Sequence, residues 1–214
     1  MAERPAYFPN FNTIGVETRS FEFPWSGGFA LVQKQKNITA LHAAIVQSGA
    51  GRAPLEISSK STVEAGVKLS AFNITLPLDG VNCSVESIFQ ASKVFENSGP
   101  FPELYAKPSR EVRDSVKEHA SGKLVAFDLN GNRWPLRPTT AFYDWIYLKA
   151  LVAKPDLANA LAEFDCFTDI EFNPKKSLNC QAYAAALYRS IVHGGKLEEA
   201  LSSKEAFLRL HPEN

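Results

Sequence analysis

The segment KLVAFDLNGNRWPL, residues 123–136, limits the fold more than any other stretch of the chain. Asn130-Gly131 tolerates the left-handed backbone of a two-residue hairpin turn, and it stands between two short strand-like runs. An antiparallel hairpin is therefore expected here. A second turn signal, Asp79-Gly80, closes LSAFNITLPLDGV. Most of the remaining sequence reads as helix. Asn37 offers an N-cap for a helix carrying Ile38, Leu41 and Ile45 on one face, with Gly49 as its stop. Ser84 caps a helix running to about Asn97, where Ser98-Gly99-Pro100 ends it. Ser109 caps a more polar helix with Val112, Val116 and Ala120 spaced by four. Thr139 or Thr140 opens TAFYDWIYLKALVAK, stopped before Pro155, and Asp156 caps a shorter helix. Ser177 caps a long helix to Gly194-Gly195, and an amphipathic helix covers Leu197–Leu208. GGFALVQ, residues 27–33, reads as a short strand, and LEISSKS, residues 55–61, as strand or loop. The first two dozen residues read as an irregular arm, and FTDIEFNPKK as an acidic loop. The sum predicts a mainly α (α+β) fold, a single helical domain with a few short strands and a hairpin.

Composition narrows the function classes. With 45% apolar residues, 15 Phe and 3 Trp among 214 residues, the chain can bury a substantial core. The longest apolar run, Leu148–Ala153, is far too short to span a bilayer. The opening MAERPAYFPN has no apolar stretch resembling a signal peptide, so a cytoplasmic chain with no membrane partner is expected. Cys83, Cys166 and Cys180 are odd in number and scattered, which fits free thiols rather than disulfides or a zinc site. His42, His119, His193 and His211 have no metal-ligand spacing, so no metal and no cofactor are expected. The 23 basic and 23 acidic residues cancel. A protein that grips duplex DNA by neutralising many phosphates is usually strongly basic. Action on a nucleic acid through a pocket remains compatible with neutrality.

VESIFQASKVF, residues 85–95, sets Glu86, Gln90 and Lys93 on one narrow stripe if the whole segment is helical. A first-turn carboxylate favoured by the helix dipole, with a solvated lysine beyond it, explains the same spacing without any chemistry. Spacing alone does not decide.

The surrounding string does more. LSAFNITLPLDGVNCSVESIFQASKVF resembles the NADAR family, whose members run Leu-Ser-Asn-Phe, then an apolar-Asp-Gly turn, then Val-Glu-His, Gln-Ala and a lysine. Leu69, Ser70, Phe72, Asp79, Gly80, Val85, Glu86, Gln90, Ala91 and Lys93 keep that order. PLRPTTAFYDWIYLKAL resembles the family's Asp-Trp helix, with Asp144 and Trp145. FTDIEFNPKKSLNCQAYAAALY resembles its closing acidic loop and last helix, with Glu171 and Asn179. The resemblance spans roughly residues 66–193. It divides the chain into an extension, residues 1–65, packed on the core, and a NADAR-like catalytic domain, residues 66–214. The extension, with FPWSGGFA and LEISSKS, looks like that of NADAR proteins associated with DarT-type toxins. Ser87 stands where many members carry histidine, and Ala71 replaces an asparagine.

The resemblance implies a hydrolase that removes ADP-ribose from guanine bases in nucleic acid and so counters a DarT-type ADP-ribosyltransferase. ADP-ribosylated DNA would be the substrate, ADP-ribose the product and a cognate toxin the partner. Glu86, Lys93 and Glu171 are the catalytic candidates. Glu86 is the acid/base, and Lys93 either attacks a ring-opened anomeric carbon or binds ribose or phosphate. Phe72, Gln90, Asp144, Trp145, Asn173, Asn179, Lys60 and Arg137 are substrate-binding candidates, with Trp145 able to stack on a base. Arg133, Lys175 and Lys176 join Arg137 as phosphate contacts, and the helix start expected at Ser177 offers backbone N–H groups to a pyrophosphate. Two other readings stay open. One is an N-glycosidase acting on pyrimidine intermediates of riboflavin synthesis; the other is a non-catalytic antitoxin that binds its toxin directly.

Overall fold

The computed structural model describes residues 1–175 and 177–211. The chain opens with two strands, β1 (Ala2–Pro9) and β2 (Val16–Phe23), then α1 (Leu31–Gln47), β3 (Pro54–Glu56) and α2 (Glu64–Lys68). The hairpin β4 (Thr75–Leu78) and β5 (Val81–Ser84) leads into α3 (Val85–Ala91), β6 (Lys93–Phe95) and α4 (Ser109–His119). Next come β7 (Leu124–Leu129), β8 (Asn132–Trp134), α5 (Ala141–Val152), α6 (Pro155–Ala160) and β9 (Cys166–Thr168). The chain closes with α7 (Gln181–His193), α8 (Leu197–Ser202) and α9 (Lys204–Leu210). It is 43% helical and 20% strand in three sheets, so the mainly helical expectation is corrected to α+β.

The missing strand content lies at the N-terminus. The expected irregular arm is the antiparallel β1–β2 hairpin, registered from Ala2 opposite Phe23 to Pro9 opposite Val16. β1 also pairs antiparallel with β9, and β9 pairs parallel with β3, giving the order β2-β1-β9-β3. Side chains alternate across this sheet as a strand requires. Ala6 and Phe8 pack with Ile38, Leu41 and Ile45 of α1, while Tyr7 joins the larger core on the other face. Cys166 and Phe167 split in the same way. Pairings this distant leave little local signal in strands of three residues.

Both Asx-Gly turns form as expected. Asp79 and Gly80 have φ of 49° and 79°, and Asn130 and Gly131 have 51° and 80°, each joining adjacent antiparallel strands. GGFALVQ is not a strand: α1 begins at Leu31, because a short apolar run satisfies either periodicity. Asn37 is therefore inside α1, where its amide bonds both the N–H and the carbonyl of Ser26. Ser84 does cap α3, accepting from the Ser87 N–H at 3.1 Å. That helix stops at Ala91 rather than near Asn97, because residues 93–95 pair with β7, Lys93 opposite Phe127. Ser109 begins α4 but spends its hydroxyl on Ser84 and Ser87 instead of a cap. α6 is entered through Lys154 and Pro155, with Asp156 in its first turn. The last amphipathic segment is two helices, broken at Ser203, whose side chain caps α9.

α5 is the central element. Nine of its residues, including Tyr143 and Asp144, are buried, as an apolar helix clad on all sides must be. α7 packs against it, and the buried Ala182, Ala184, Ala185 and Ala186 of α7 belong to the same core. Cys83, Cys166 and Cys180 are buried free thiols. Among the described residues no helix is long and apolar enough to cross a membrane.

Candidate active site

A cavity of about 670 Å³ opens between α3, the start of β6 and the loop joining β9 to α7. Part of its lining is aromatic: the Phe89 ring lies tilted against Phe127 at 5.2 Å and meets Tyr143 edge-on at 5.3 Å. Glu86, Gln90 and Lys93 face into it. The Gln90 amide donates to Glu86 Oε1 at 2.9 Å, and Lys93 Nζ donates to Gln90 Oε1 at 2.5 Å. Gln90 thus spans the gap that a direct ion pair at that separation would not bridge. The alignment arises differently from the helical stripe expected. Glu86 and Gln90 are one turn apart on α3, while Lys93 begins a strand, and the C-cap at Ser92 turns it back toward them. Burial pulls the Lys93 ammonium below the ordinary lysine value, with the Glu86 charge acting in the opposite sense. Its Nζ also lies 5.2 Å from the centre of the Phe89 ring.

The loop that joins β9 to α7 adds further carboxylates to the lining. Glu171 lines the cavity and pairs with Lys34 of α1 at 2.8 Å. Its loop is held from behind by two buried acids. Glu56 Oε1 accepts from Ile170 N at 2.8 Å and from the Ser58 hydroxyl at 2.7 Å, and Glu56 Oε2 accepts from Thr168 Oγ1 at 2.6 Å. Asp169 Oδ1 accepts from Glu171 N and Phe172 N, and its Oδ2 from Gln181 Nε2 at 3.0 Å. The Gln181 carbonyl oxygen in turn accepts from Ala71 N at 2.6 Å, tying this loop to the Ser70–Phe72 turn. Burial raises both carboxyls above the ordinary range, and for Asp169 the nearby Glu56 adds to the effect. Since Thr168 gives its proton to Glu56, His42 Nε2 donates to Thr168 Oγ1 at 2.9 Å. Burial pulls His42 down to about 4, consistent with that neutral donor.

The structure brings Phe72, Glu86, Gln90, Lys93, Glu171 and Asn179 to one cavity. Phe72 is half-exposed at the mouth, and the Asn179 Oδ1 is buried without a hydrogen-bond partner. Asp144, Trp145, Asn173, Lys60 and Arg137 lie outside the lining. Asp144 is fully buried in α5, accepting from Thr140 Oγ1 at 2.6 Å and meeting His211 Nε2 at 2.9 Å. Trp145 packs on Trp134 at 5.0 Å with Lys149 over its ring, and Asn173 serves a local turn to Lys175 N. Lys60 N bonds Ser58 Oγ, and its neighbours Ser58 and Ser59 reach the cavity instead. Arg133 and Lys175 also lie outside it, and Lys176 falls outside the described residues. No helix starts at Ser177; α7 begins at Gln181, so the expected pyrophosphate site on helical N–H groups is absent there, though Ser177 itself lines the cavity.

Sequence reasoning passed over Arg113, Tyr143, Asp169 and Gln181, all cavity residues. Arg113 looks like any solvated residue of a polar helix and carried no signal. Asp169 and Glu56 did carry one: each stands beside apolar residues, in TDIEF and LEI, where an acid is either exposed by alternation or buried at a cost. Among the described residues no group of His, Cys, Asp and Glu is arranged to hold a metal ion.

An α+β domain in which a lysine, a glutamate and an acidic loop line one cavity of about 670 Å³ has the concave form of a ligand-binding domain. A family model described as DarT1-associated NADAR antitoxin matches residues 2–214, and the chain belongs to that family. A search of curated proteins found no significant match.

Proposed function

We propose that this protein is an ADP-ribosyl hydrolase that strips ADP-ribose from guanine bases in nucleic acid and thereby acts as antitoxin to a DarT-type toxin. The observation that carries the reading is the hydrogen-bonded line Glu86–Gln90–Lys93 on the wall of the cavity. Membership in an antitoxin family named for association with DarT1 supplies the context and favours this substrate over pyrimidine intermediates.

In the proposed reaction Glu86 donates a proton to the guanine nitrogen as its bond to the ribose anomeric carbon breaks. The Lys93 amine bonds to that carbon; the ribose ring C–O bond then opens, its oxygen taking a proton as the C=N bond forms. Water adds to the resulting imine and expels the amine, returning free ADP-ribose and the original lysine. The nucleophile must be a neutral amine, which the burial of Lys93 favours. Glu171, which also lines the cavity, activates that water. Arg113 offers the bidentate cation suited to a pyrophosphate. Asn179 Oδ1 accepts from a ribose hydroxyl or base N–H, and Phe72 at the mouth stacks on the base.

Incubating the protein with an oligonucleotide bearing ADP-ribosylated guanine, then reducing with borohydride, tests the covalent step. The expected result is one added ADP-ribose mass mapped to Lys93 and none in Lys93→Arg. Turnover without any trapped adduct would overturn the lysine's covalent role. No turnover, with tight binding to the toxin, would make the chain a non-catalytic antitoxin.

A further inference from the structure

Glu171 has its main chain and its side chain fixed by different parts of the molecule. Its backbone is anchored by the buried acids: Ile170 N on Glu56, and Glu171 N with Phe172 N on Asp169. Those bonds place the Cα but leave the side-chain torsions of a glutamate that is 42% exposed. What sets them is a residue distant in sequence. Lys34, in the first turns of α1, puts its Nζ 2.8 Å from Glu171 Oε1.

Lys34 is unlike an ordinary surface lysine. Its side chain is only 15% exposed, and its ammonium sits 5.9 Å from the centre of the Trp25 ring. The Arg4 guanidinium lies 5.2 Å from the centre of the same ring, and Trp25 packs against buried Phe23 of β2. A cation held in this way has already given up most of its rotamer freedom, which is what makes exposed ion pairs weak. Lys34 also comes from the region before residue 66, the same region that supplies Glu56, Ser58 and Ser59 to this wall.

We propose that Lys34 is a positioning residue of the reaction, holding the Glu171 carboxylate in the orientation that addresses the substrate. Two supports of this side of the site then originate in residues 1–65: the lysine that aims the carboxylate and Glu56, one of the two acids that clasp its loop. The extension is on this account part of the catalytic apparatus. The inference rests on the reading of the cavity as the hydrolase site.

The test is a double-mutant cycle on release of ADP-ribose from the modified oligonucleotide, with thermal unfolding of each variant as the folding control. Lys34→Met is expected to lower kcat by roughly tenfold to a hundredfold, as small misplacements of a catalytic group do, with KM little changed. Lys34→Arg should restore most of the rate. In a Glu171→Gln background, Lys34→Met should add nothing, since the two act as a unit. Lys34→Gln serves as the neutral variant if Lys34→Met fails to fold. Multiplying losses in the double variant, or a raised KM with kcat intact, would overturn the positioning role while leaving the hydrolase reading standing. No release by the wild type would remove that reading, and this inference with it.

Discussion

Gln90 decides how Glu86 and Lys93 relate. An amide that donates to the carboxylate and accepts from the ammonium lets both charged groups sit in one wall without neutralising each other in a closed ion pair. The lysine is then available for deprotonation, and burial already moves it in that direction. The sign of the pH effect follows. If the neutral amine attacks, the residual single-turnover cleavage of Glu86→Gln, in which no general acid titrates, should rise with pH and level off below the ordinary lysine value of 10.5; a residual rate that falls as Lys93 loses its proton would indicate that the ammonium is the working form. The sequence showed these three residues correctly as neighbours, but by an argument from helix geometry that holds only for the first two. Val94 and Phe95 suit a strand as well as a helix, and their pairing with Ala126 and Leu124 was out of reach of local pattern. Arg113 shows the opposite limit. Nothing in SREVRDSVKEH distinguishes it from its solvated neighbours until α4 is seen beside α3.

Among elements, α5 and the closing helices answer a question that the motif left open. Asp144 belongs to the string that resembles the family, yet its carboxylate is buried with Thr140 and His211, the last residue of the described C-terminus. This contact latches the end of α9 onto the central helix. Asp144→Ala should therefore act on stability: it leaves buried donors without their acceptor, at a cost of about 1–3 kcal/mol. For a chain of this size that corresponds to a fall in unfolding temperature of roughly 2–4 °C per kcal/mol. Turnover measured well below that temperature should stay within about twofold of wild type, because the residue lies outside the cavity lining. A large loss of rate without loss of stability would instead assign Asp144 to the reaction. The caps and turns at this scale were the most legible part of the fold. Ser84, Asp79-Gly80 and Asn130-Gly131 carry local chemistry that packing did not override. Asn37 has the same chemistry but spends it on a loop eleven residues back, and no helix starts at Ser177.

At the scale of the molecule, β9 is a three-residue strand clasped between β1 and β3, both from the first 56 residues. No periodicity announces such an arrangement, which is why the strand content of the N-terminal region was underestimated. The titrating groups gather at this sheet: Glu56 ends β3, Asp169 follows β9, and His42 of α1 bonds Thr168 of β9. His42 is held neutral down to about 4, whereas in the unfolded chain it titrates near the usual value of about 6.5. Between those limits only the unfolded state gains the proton, so His42 makes stability fall as pH drops from about 6.5 to about 4. Glu56 and Asp169 act with the opposite sign. Their raised values mean the folded state takes protons first, so their contribution falls as pH rises. Denaturant unfolding of His42→Gln across this window should show a weaker loss of stability toward acid than the wild type. An unchanged slope would mean that His42 is not held neutral in the fold.

The most direct test of the account compares wild type with Glu86→Gln on an oligonucleotide carrying ADP-ribosylated guanine, with released ADP-ribose followed by mass spectrometry. Wild type should release ADP-ribose and restore the guanine. The variant, equally stable, should be slower by roughly a hundredfold or more, the scale on which a positioned general acid contributes. Equal release by the two proteins would contradict the assignment of Glu86, and no release by either would contradict the hydrolase itself.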